Sequence, residues 1–150
     1  MVVVDGKPNA IRYTFQVESM NFHAAGRAAS KVKQVLLGIG YEPQVARRAA
    51  IVTYELEMNL VIHGGGGILE VELSPEKIQI TAEDHGPGIP DVELAMQEGY
   101  STAPPQVREM GFGAGMGLPN IRRWSDQLTI ETEINQGTKL VAAICCKKHE

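Results

Sequence analysis

The order in which hydrophobic residues change their spacing constrains the fold of this chain more than any other feature. The first patterned segment alternates apolar and polar residues, as a strand with one buried face does, through Ile11, Tyr13, Phe15 and Val17. Two segments with helical spacing follow, and then two pairs of alternating segments with further helical segments between the pairs. This order predicts an α+β domain, a two-layer α/β sandwich in which helices cover one face of a mixed, largely antiparallel sheet.

The two helical segments lie between the first strand and a run of glycines. We expect Asn21 to be the N-cap of the first helix, which ends at Gly40. Pro43 suits the first turn of the second helix. That helix is predicted to reach about His63, because the glycine run at 64–67 stops its apolar stripe.

Two hairpins and a loop are predicted farther along the chain. ILEVELS and KIQITA alternate around residues 74–76, and QLTIETEI and TKLVAAICC are joined through residues 135–137. Between the hairpins, DVELAMQEG predicts a short helix and residues 115–126 predict a longer one. The segment near 99–114 has no clear apolar period, and we interpret it as a mobile lid.

Composition limits the kind of protein that this chain can be. With 150 residues, of which 43% are hydrophobic and 21% charged, we expect one domain spanning residues 1–150. A net charge of −4 gives no strong field for nucleic acid or an acidic membrane surface. No window approaches the roughly 20 apolar residues of a membrane span, and the first residues lack a basic leader, so we expect a cytoplasmic protein.

The second predicted helix contains YELEMNLVIH, in which Glu55 and Asn59 are four residues apart and therefore share a face. A carboxylate and an amide oxygen beside an apolar stripe could form a magnesium and phosphate site, because Mg²⁺ prefers hard oxygen ligands and retains waters. A polar helix edge is the alternative interpretation, since the pair alone is a short motif.

The strand KIQITA runs into EDHGPGIPD, which is more elaborate than a turn requires. An ionised Asp84 only accepts hydrogen bonds, so it could receive the exocyclic amino group of adenine and would repel the oxygen that guanine presents there. Gly86 and Gly88 would let the backbone pass close to a flat base. On its own, the stretch is better explained as a glycine-rich turn that ends a strand.

A third motif, GFGAGMGL, precedes the last predicted helix. Gly113, Gly115 and Gly117 would let backbone N–H groups approach phosphate oxygens, and the helix N-terminus would add partial positive charge. The motif matches neither the P-loop GxxxxGK[ST] nor the dinucleotide GxGxxG pattern. A flexible hinge is the alternative interpretation.

Taken in order, helical ExxxN, strand-exit DxGxG and GxGxG before a helix resemble the ATP-binding domain of gyrase, the heat-shock chaperones, histidine kinases and mismatch-repair ATPases, which has the Bergerat fold. Within that superfamily the chain is most similar to the anti-sigma-factor serine/threonine kinases of the stressosome switch type. The similarity runs through ELEMN, DHGPGIPDVELAMQEGYST, GMGLPNIRRWSD and Gly137-Thr138. Sporulation-type members carry an arginine just before GMG, where this chain has Phe112-Gly113-Ala114.

The resemblance implies a histidine kinase-like ATPase that uses ATP and Mg²⁺ to phosphorylate a serine or threonine of an anti-sigma antagonist of the STAS type. The residue matching Glu55 is the base or orienting group for the attacking hydroxyl, and the residue matching Asn59 coordinates magnesium. Residues 99–114 would be the ATP lid. Asp84 would select adenine, and Thr138 would assist through its hydroxyl. The implied nucleotide-binding residues are Asn59, Asp84, Gly86, Gly88, Gly113, Gly115, Gly117 and Thr138.

A different class of function is compatible with the same motifs. The chain could be a binding module that sequesters a sigma factor or an antagonist and uses nucleotide only to set its conformation. Glu55 favours the kinase, because a pure binder needs no base. The resemblance places either activity in the regulation of transcription during stress, with a sigma factor or a phosphatase as a further candidate partner, and it is compatible with a homodimer.

Overall fold

The computed structural model describes residues 2–4, 11–98 and 117–146. The strands are β1 (Val2–Val4), β2 (Ile11–Glu18), β3 (Gly66–Leu73), β4 (Lys77–Glu83), β5 (Gln127–Glu133) and β6 (Gly137–Cys145). The helices are α1 (Arg27–Ile39), α2 (Pro43–Asn59), α3 (Val92–Ala95) and α4 (Gly117–Trp124), and α2 continues into a π-helical turn at Leu60–Gly64. That residues 1–150 form one domain stays a prediction.

The strands form one sheet in the order β1-β2-β3-β4-β6-β5. Every pairing in the described part of the chain is antiparallel, so the predicted mixture of directions is absent there. The reason is topological, because α1 and α2 together return the chain beside β2 in the opposite direction, and the two hairpins add antiparallel pairs. The predicted α+β fold and both predicted hairpins are confirmed.

The core lies between one face of this sheet and the helices. Alternate residues of β3 and β4 are buried on the helical side, and α2 lies over them with an apolar stripe. Full burial of each such side chain contributes about 1.5–3 kcal/mol relative to exposure. The opposed residues are Leu69, Val71, Leu73, Ile78, Ile80 and Ala82 of the strands, Val52 and Leu56 of α2, and Leu60 of the π-helical turn.

The first helix begins later than the sequence predicts. Its N-cap is Gly26, with φ of +94°, and Asn21 instead accepts a hydrogen bond from the Ala24 amide at 3.2 Å within a preceding turn. The first-turn amides of Ala28 and Ala29 donate to the carboxylate of Glu57 on α2, at 3.2 and 3.4 Å. A carboxylate from another helix therefore does what the predicted local cap would have done.

The other helices differ less from their predictions. Pro43 occupies the first turn of α2 as expected, and the last turn before Gly65 widens from α- to π-helical geometry. Asp91 caps the short α3 by accepting from the Leu94 amide at 3.1 Å. The predicted lid at 99–114 lies outside the described residues. Within the described ranges, no helix combines the length and apolar character required to span a bilayer.

Candidate functional site

The π-helical turn that continues α2 beyond the ExxxN motif contacts the strand-exit DxGxG motif. Gly64 is the last residue of the π-helical turn, and Asp84 directly follows β4. A Cβ atom added to Gly64 would lie 2.7 Å from Oδ2 of Asp84, so only a glycine leaves room for this carboxylate. The contact explains one residue of a glycine run whose length exceeds what a helix end needs.

Asp84 is held by one of its two carboxylate oxygens. Its side chain is buried, with 5% of the residue exposed, and Oδ1 accepts hydrogen bonds from the amides of Gly86 at 2.9 Å and Thr138 at 3.2 Å. Oδ2 makes no hydrogen bond to any residue that the structure describes. The carboxylate is therefore fixed in orientation while one oxygen remains to accept a hydrogen bond from a ligand.

The glycines after Asp84 lie against other parts of the backbone. A Cβ atom on Gly86 would be 2.6 Å from the carbonyl oxygen of Gly64, and one on Gly88 would be 2.5 Å from the carbonyl oxygen of Glu133. Gly88 also has φ of +81°, a conformation that side chains other than glycine rarely adopt. Close backbone contacts thus require glycine at both positions, which the motif alone does not reveal. That these two glycines line a base pocket stays a prediction.

Thr138, at the start of β6, is buried beside Asp84. The backbone amide of Thr138 donates to Oδ1 of Asp84, and its carbonyl oxygen accepts a hydrogen bond from the Asp84 amide at 2.9 Å. Its hydroxyl lies 2.9 Å from the hydroxyl of Thr132, whose oxygen accepts from the Ile89 amide at 2.8 Å. Thr132 was missed by the sequence analysis, although its position opposite Thr138 in the predicted β5–β6 hairpin is a signal that could have identified it.

Glu55 is half-buried on α2 and is connected to the helix that follows the third motif. The side-chain amide of Asn120, on α4, donates to Oε2 of Glu55 at 2.7 Å. Burial raises the pKa of Glu55 above its ordinary value of 4.5, and the Asn120 hydrogen bond opposes that rise. Of the third motif, Gly117 begins α4, whereas Gly113 and Gly115 lie outside the described residues.

Asn59 is the last residue of α2, one helical turn beyond Glu55. It is half-buried, and its side chain makes no hydrogen bond to another described residue. The described part of the chain contains no group of three or more His, Cys, Asp or Glu side chains that could hold a metal ion. Mg²⁺ commonly takes only one or two protein oxygens and completes its shell with water and phosphate. Asn59 fits such a site.

Three further residues at or near the site were missed by the sequence analysis. Asn120 belongs to the segment GMGLPNIRRWSD but received no role, and Gly64 was recognised only as part of the glycine run that ends the helix. Glu57 is 3% exposed, and its burial raises its pKa although hydrogen bonds from α1 lower it. Helical spacing offers a signal here, because Glu57 is two residues from Glu55 and must face a different direction.

The chain is similar to known proteins over most of its length. The family model described as "Histidine kinase-, DNA gyrase B-, and HSP90-like ATPase" matches residues 44–148. "Serine/threonine-protein kinase RsbT" of Bacillus subtilis (strain 168) is 33% identical over 110 residues, covering 71% of this chain and 75% of that protein. "Anti-sigma F factor" of Geobacillus kaustophilus (strain HTA426) is 33% identical over 104 residues, or 65% of each chain.

Solved structures share the fold at low sequence identity. A chain from the SiaB-SiaC complex of Pseudomonas aeruginosa superposes with a TM-score of 0.58 at 15% identity, covering 88% of each chain. The mycobacterial sensor histidine kinase MprB gives a TM-score of 0.52 at 13% identity, covering 92% of this chain and 99% of that one. The family match and the two relatives at 33% identity show that the chain belongs to the histidine kinase-, DNA gyrase B- and HSP90-like ATPase family, and within it to the anti-sigma serine/threonine kinases.

Proposed function

We propose that this chain uses ATP and Mg²⁺ to phosphorylate a serine or threonine on an anti-sigma antagonist of the STAS type. The observation that carries the proposal is the half-buried carboxylate of Glu55, hydrogen-bonded to Asn120 on the helix that follows the glycine-rich motif. Membership in the ATPase family and similarity to a protein named as a serine/threonine kinase support it. A pure binding module would have no use for such a base.

In the proposed reaction, Glu55 accepts the proton of the substrate hydroxyl. The hydroxyl oxygen forms a bond to the γ-phosphorus of ATP, the bond to the bridging oxygen breaks, and ADP leaves. A carboxyl pKa raised by burial brings the proton affinity of the base closer to the pH at which it operates. Asn59 would hold Mg²⁺, which supplies positive charge beside the phosphate oxygens when bound.

Nucleotide selection is proposed to depend on Asp84. With Oδ1 occupied by two backbone amides, Oδ2 would accept the exocyclic amino group of adenine. Gly86 and Gly88 would border the base, Thr138 would assist through its hydroxyl, and Gly113, Gly115 and Gly117 would contact the phosphates. The name of the second relative supports a role in anti-sigma regulation. We further propose a sigma factor or a phosphatase as an additional partner and a cytoplasmic location for the protein.

The kinase assignment predicts that transfer depends on Glu55. The protein is incubated with ATP labelled in the γ-phosphate, Mg²⁺ and a STAS-type antagonist domain. Labelling of the antagonist should fall by about 100- to 10,000-fold in Glu55→Gln, because general-base catalysis is lost. Glu76→Gln, which changes an exposed acid in the β3–β4 turn, should transfer label as the wild type does.

Two results would contradict this proposal. Full transfer by Glu55→Gln would remove the base assignment. A wild-type protein that forms a nucleotide-dependent complex with the antagonist but transfers no label would be the binding module instead.

The role of Asp84 predicts that the protein prefers ATP to GTP. Titration calorimetry with each nucleotide and Mg²⁺ should give the tighter Kd for ATP. Asp84→Asn should bring the Kd values for ATP and GTP closer together, because the amide of asparagine can present a hydrogen-bond donor where the carboxylate could only accept. Equal affinity of the wild type for both nucleotides would rule out adenine recognition by this carboxylate.

A further inference from the structure

We infer that Asn120 is a positioning residue for Glu55. The side-chain amide of Asn120 holds the Glu55 carboxylate in the orientation needed to accept the substrate proton. The inference rests on the proposed function and assigns a part in it to a residue outside the ExxxN, DxGxG and GxGxG motifs. It also means that the base depends on α4, the helix that begins at the last glycine of the third motif.

The hydrogen bond from Asn120 occupies only one of the two carboxylate oxygens of Glu55. The distance from Nδ2 of Asn120 to Oε2 of Glu55 is 2.7 Å, at the short end of the range for N–H···O bonds, as expected when the acceptor is charged. Because a carboxylate only accepts, the nitrogen of the amide must face it. Oε1 makes no hydrogen bond to any described residue, so one oxygen is fixed and the other remains to receive a proton.

The donor is carried by a helix that is attached firmly to α2. Leu118 and Ile121, on either side of Asn120, are buried against the core. At the other end of α4, Nε of Arg48 donates to the carbonyl oxygen of Trp124 at 3.2 Å. A polar group on a helix fixed at both ends is held more accurately than one on a loop, which suits a positioning role.

No other side chain in the described part of the chain competes for this role. Arg48 is paired with Asp126 at 3.3 Å, and Arg123 is paired with Glu98 at 2.9 Å. The carboxylate of Glu57 is turned to the amides of α1. Asn120 is the one hydrogen-bond donor to Glu55 among these residues, so its removal should free the carboxylate to rotate.

The test measures catalysis and nucleotide binding separately. With the antagonist domain as acceptor, Asn120→Ala should lower kcat by about 10- to 100-fold, the usual effect of removing a group that orients a functional side chain. The Kd for ATP, measured without the acceptor, should stay within about twofold of wild type, because the bond does not involve the nucleotide. Arg123→Ala, which removes a different carboxylate contact from the same helix, should leave kcat unchanged.

Two more variants separate positioning from packing. Asn120→Asp keeps the shape of the side chain but replaces the donor with a like charge, so it should lose at least as much kcat as Asn120→Ala. In a Glu55→Gln background, Asn120→Ala should cause no further loss, because both changes remove the same base. Circular dichroism confirms that each variant is folded.

The outcomes distinguish this inference from the function on which it rests. Wild-type kcat in Asn120→Ala, near-wild-type kcat in Asn120→Asp, or losses that add in the double variant would each overturn the positioning role. The kinase proposal survives all three results as long as Glu55→Gln alone is inactive. Full activity of Glu55→Gln would overturn both.

Discussion

Gly64 has no side chain, and the space that a side chain would fill is occupied by the carboxylate of Asp84. Gly64→Ala should push the Asp84 carboxylate away from the two backbone amides that donate to its Oδ1, since the new Cβ would lie within 3 Å of three Asp84 atoms. We expect the variant to lose about 1–3 kcal/mol of unfolding free energy through overpacking. Its ATP affinity should fall as well. Urea denaturation and nucleotide titration measure the two effects.

Gly38 provides the matched control for this substitution. It lies near the end of α1, is exposed, and an added Cβ would meet nothing within 4 Å. Gly38→Ala should therefore raise the unfolding free energy by about 0.5–1 kcal/mol, because alanine loses less backbone entropy in a helix. Its ATP affinity should not change. Wild-type ATP affinity in Gly64→Ala would mean that the close contact is not needed for binding.

Residue types and their order along the chain were enough to identify Glu55, Asn59 and Asp84 as candidates. Their partners could not be found in that way. Glu55 and Asn120 are 65 residues apart in sequence, and nothing in the spacing of either helix indicates which side chains of the other it will touch. Gly64 could be recognised only as a helix end, because what requires glycine there is the position of Asp84, which is distant in sequence.

Glu57 connects two helices, because its carboxylate accepts the first-turn hydrogen bonds of α1, whose N-cap Gly26 has no side chain to do so. Its burial raises its pKa above 4.5, with hydrogen bonds from Ala28 and Ala29 acting in the opposite direction. A carboxyl group whose pKa is higher in the folded state contributes stability that is fully present below its unfolded pKa. That contribution is lost as the pH rises through the folded pKa. In the wild type, the contribution of Glu57 to the free energy of unfolding should therefore decrease as the pH rises from its unfolded pKa through its folded pKa.

Replacing Glu57 with glutamine should remove this pH dependence. Below pH 4.5, Glu57→Gln and the wild type should have similar free energies of unfolding, because a neutral carboxyl and an amide resemble each other. As the pH rises, the variant should become the more stable of the two, and the difference should level off once Glu57 is ionised in the folded protein. Urea denaturation at several pH values between 4 and 8 measures the difference, and a constant difference would contradict the assignment.

At the scale of elements, predictions succeeded where the signal is local. The alternation of β3 and β4 around residues 74–76 gave their hairpin, and Pro43 gave the start of α2. The predicted start of α1 was wrong, because the carboxylate that accepts from the Ala28 amide comes from a residue 29 positions away and not from Asn21. The position of β5 at the edge of the sheet, with β6 between it and β4, was not predicted either. Strand order depends on long-range packing that period-two alternation does not encode.

For the whole molecule, ligand binding and folding are linked, since a nucleotide that binds only the folded state stabilises all of it. ATP with Mg²⁺ at 100 times its Kd should add about 2.7 kcal/mol to the unfolding free energy. Chelating Mg²⁺ with EDTA should reduce that gain, because the phosphate oxygens lose their counter-charge and Asn59 loses its role. A tenfold loss of affinity corresponds to about 1.4 kcal/mol, or a few degrees in Tm.

Asn59→Ala separates the contribution of the protein from that of the metal alone. In this variant, ATP should stabilise the fold by nearly the same amount with Mg²⁺ as with EDTA, because the amide oxygen proposed to hold the ion is gone. Gln34→Ala, an exposed change on α1, should keep the wild-type difference. Thermal unfolding with ATP in the presence of Mg²⁺ or EDTA gives the comparison directly. If Asn59→Ala responds to Mg²⁺ as the wild type does, the ion is held by other atoms, and α2 supplies the base without supplying the metal ligand.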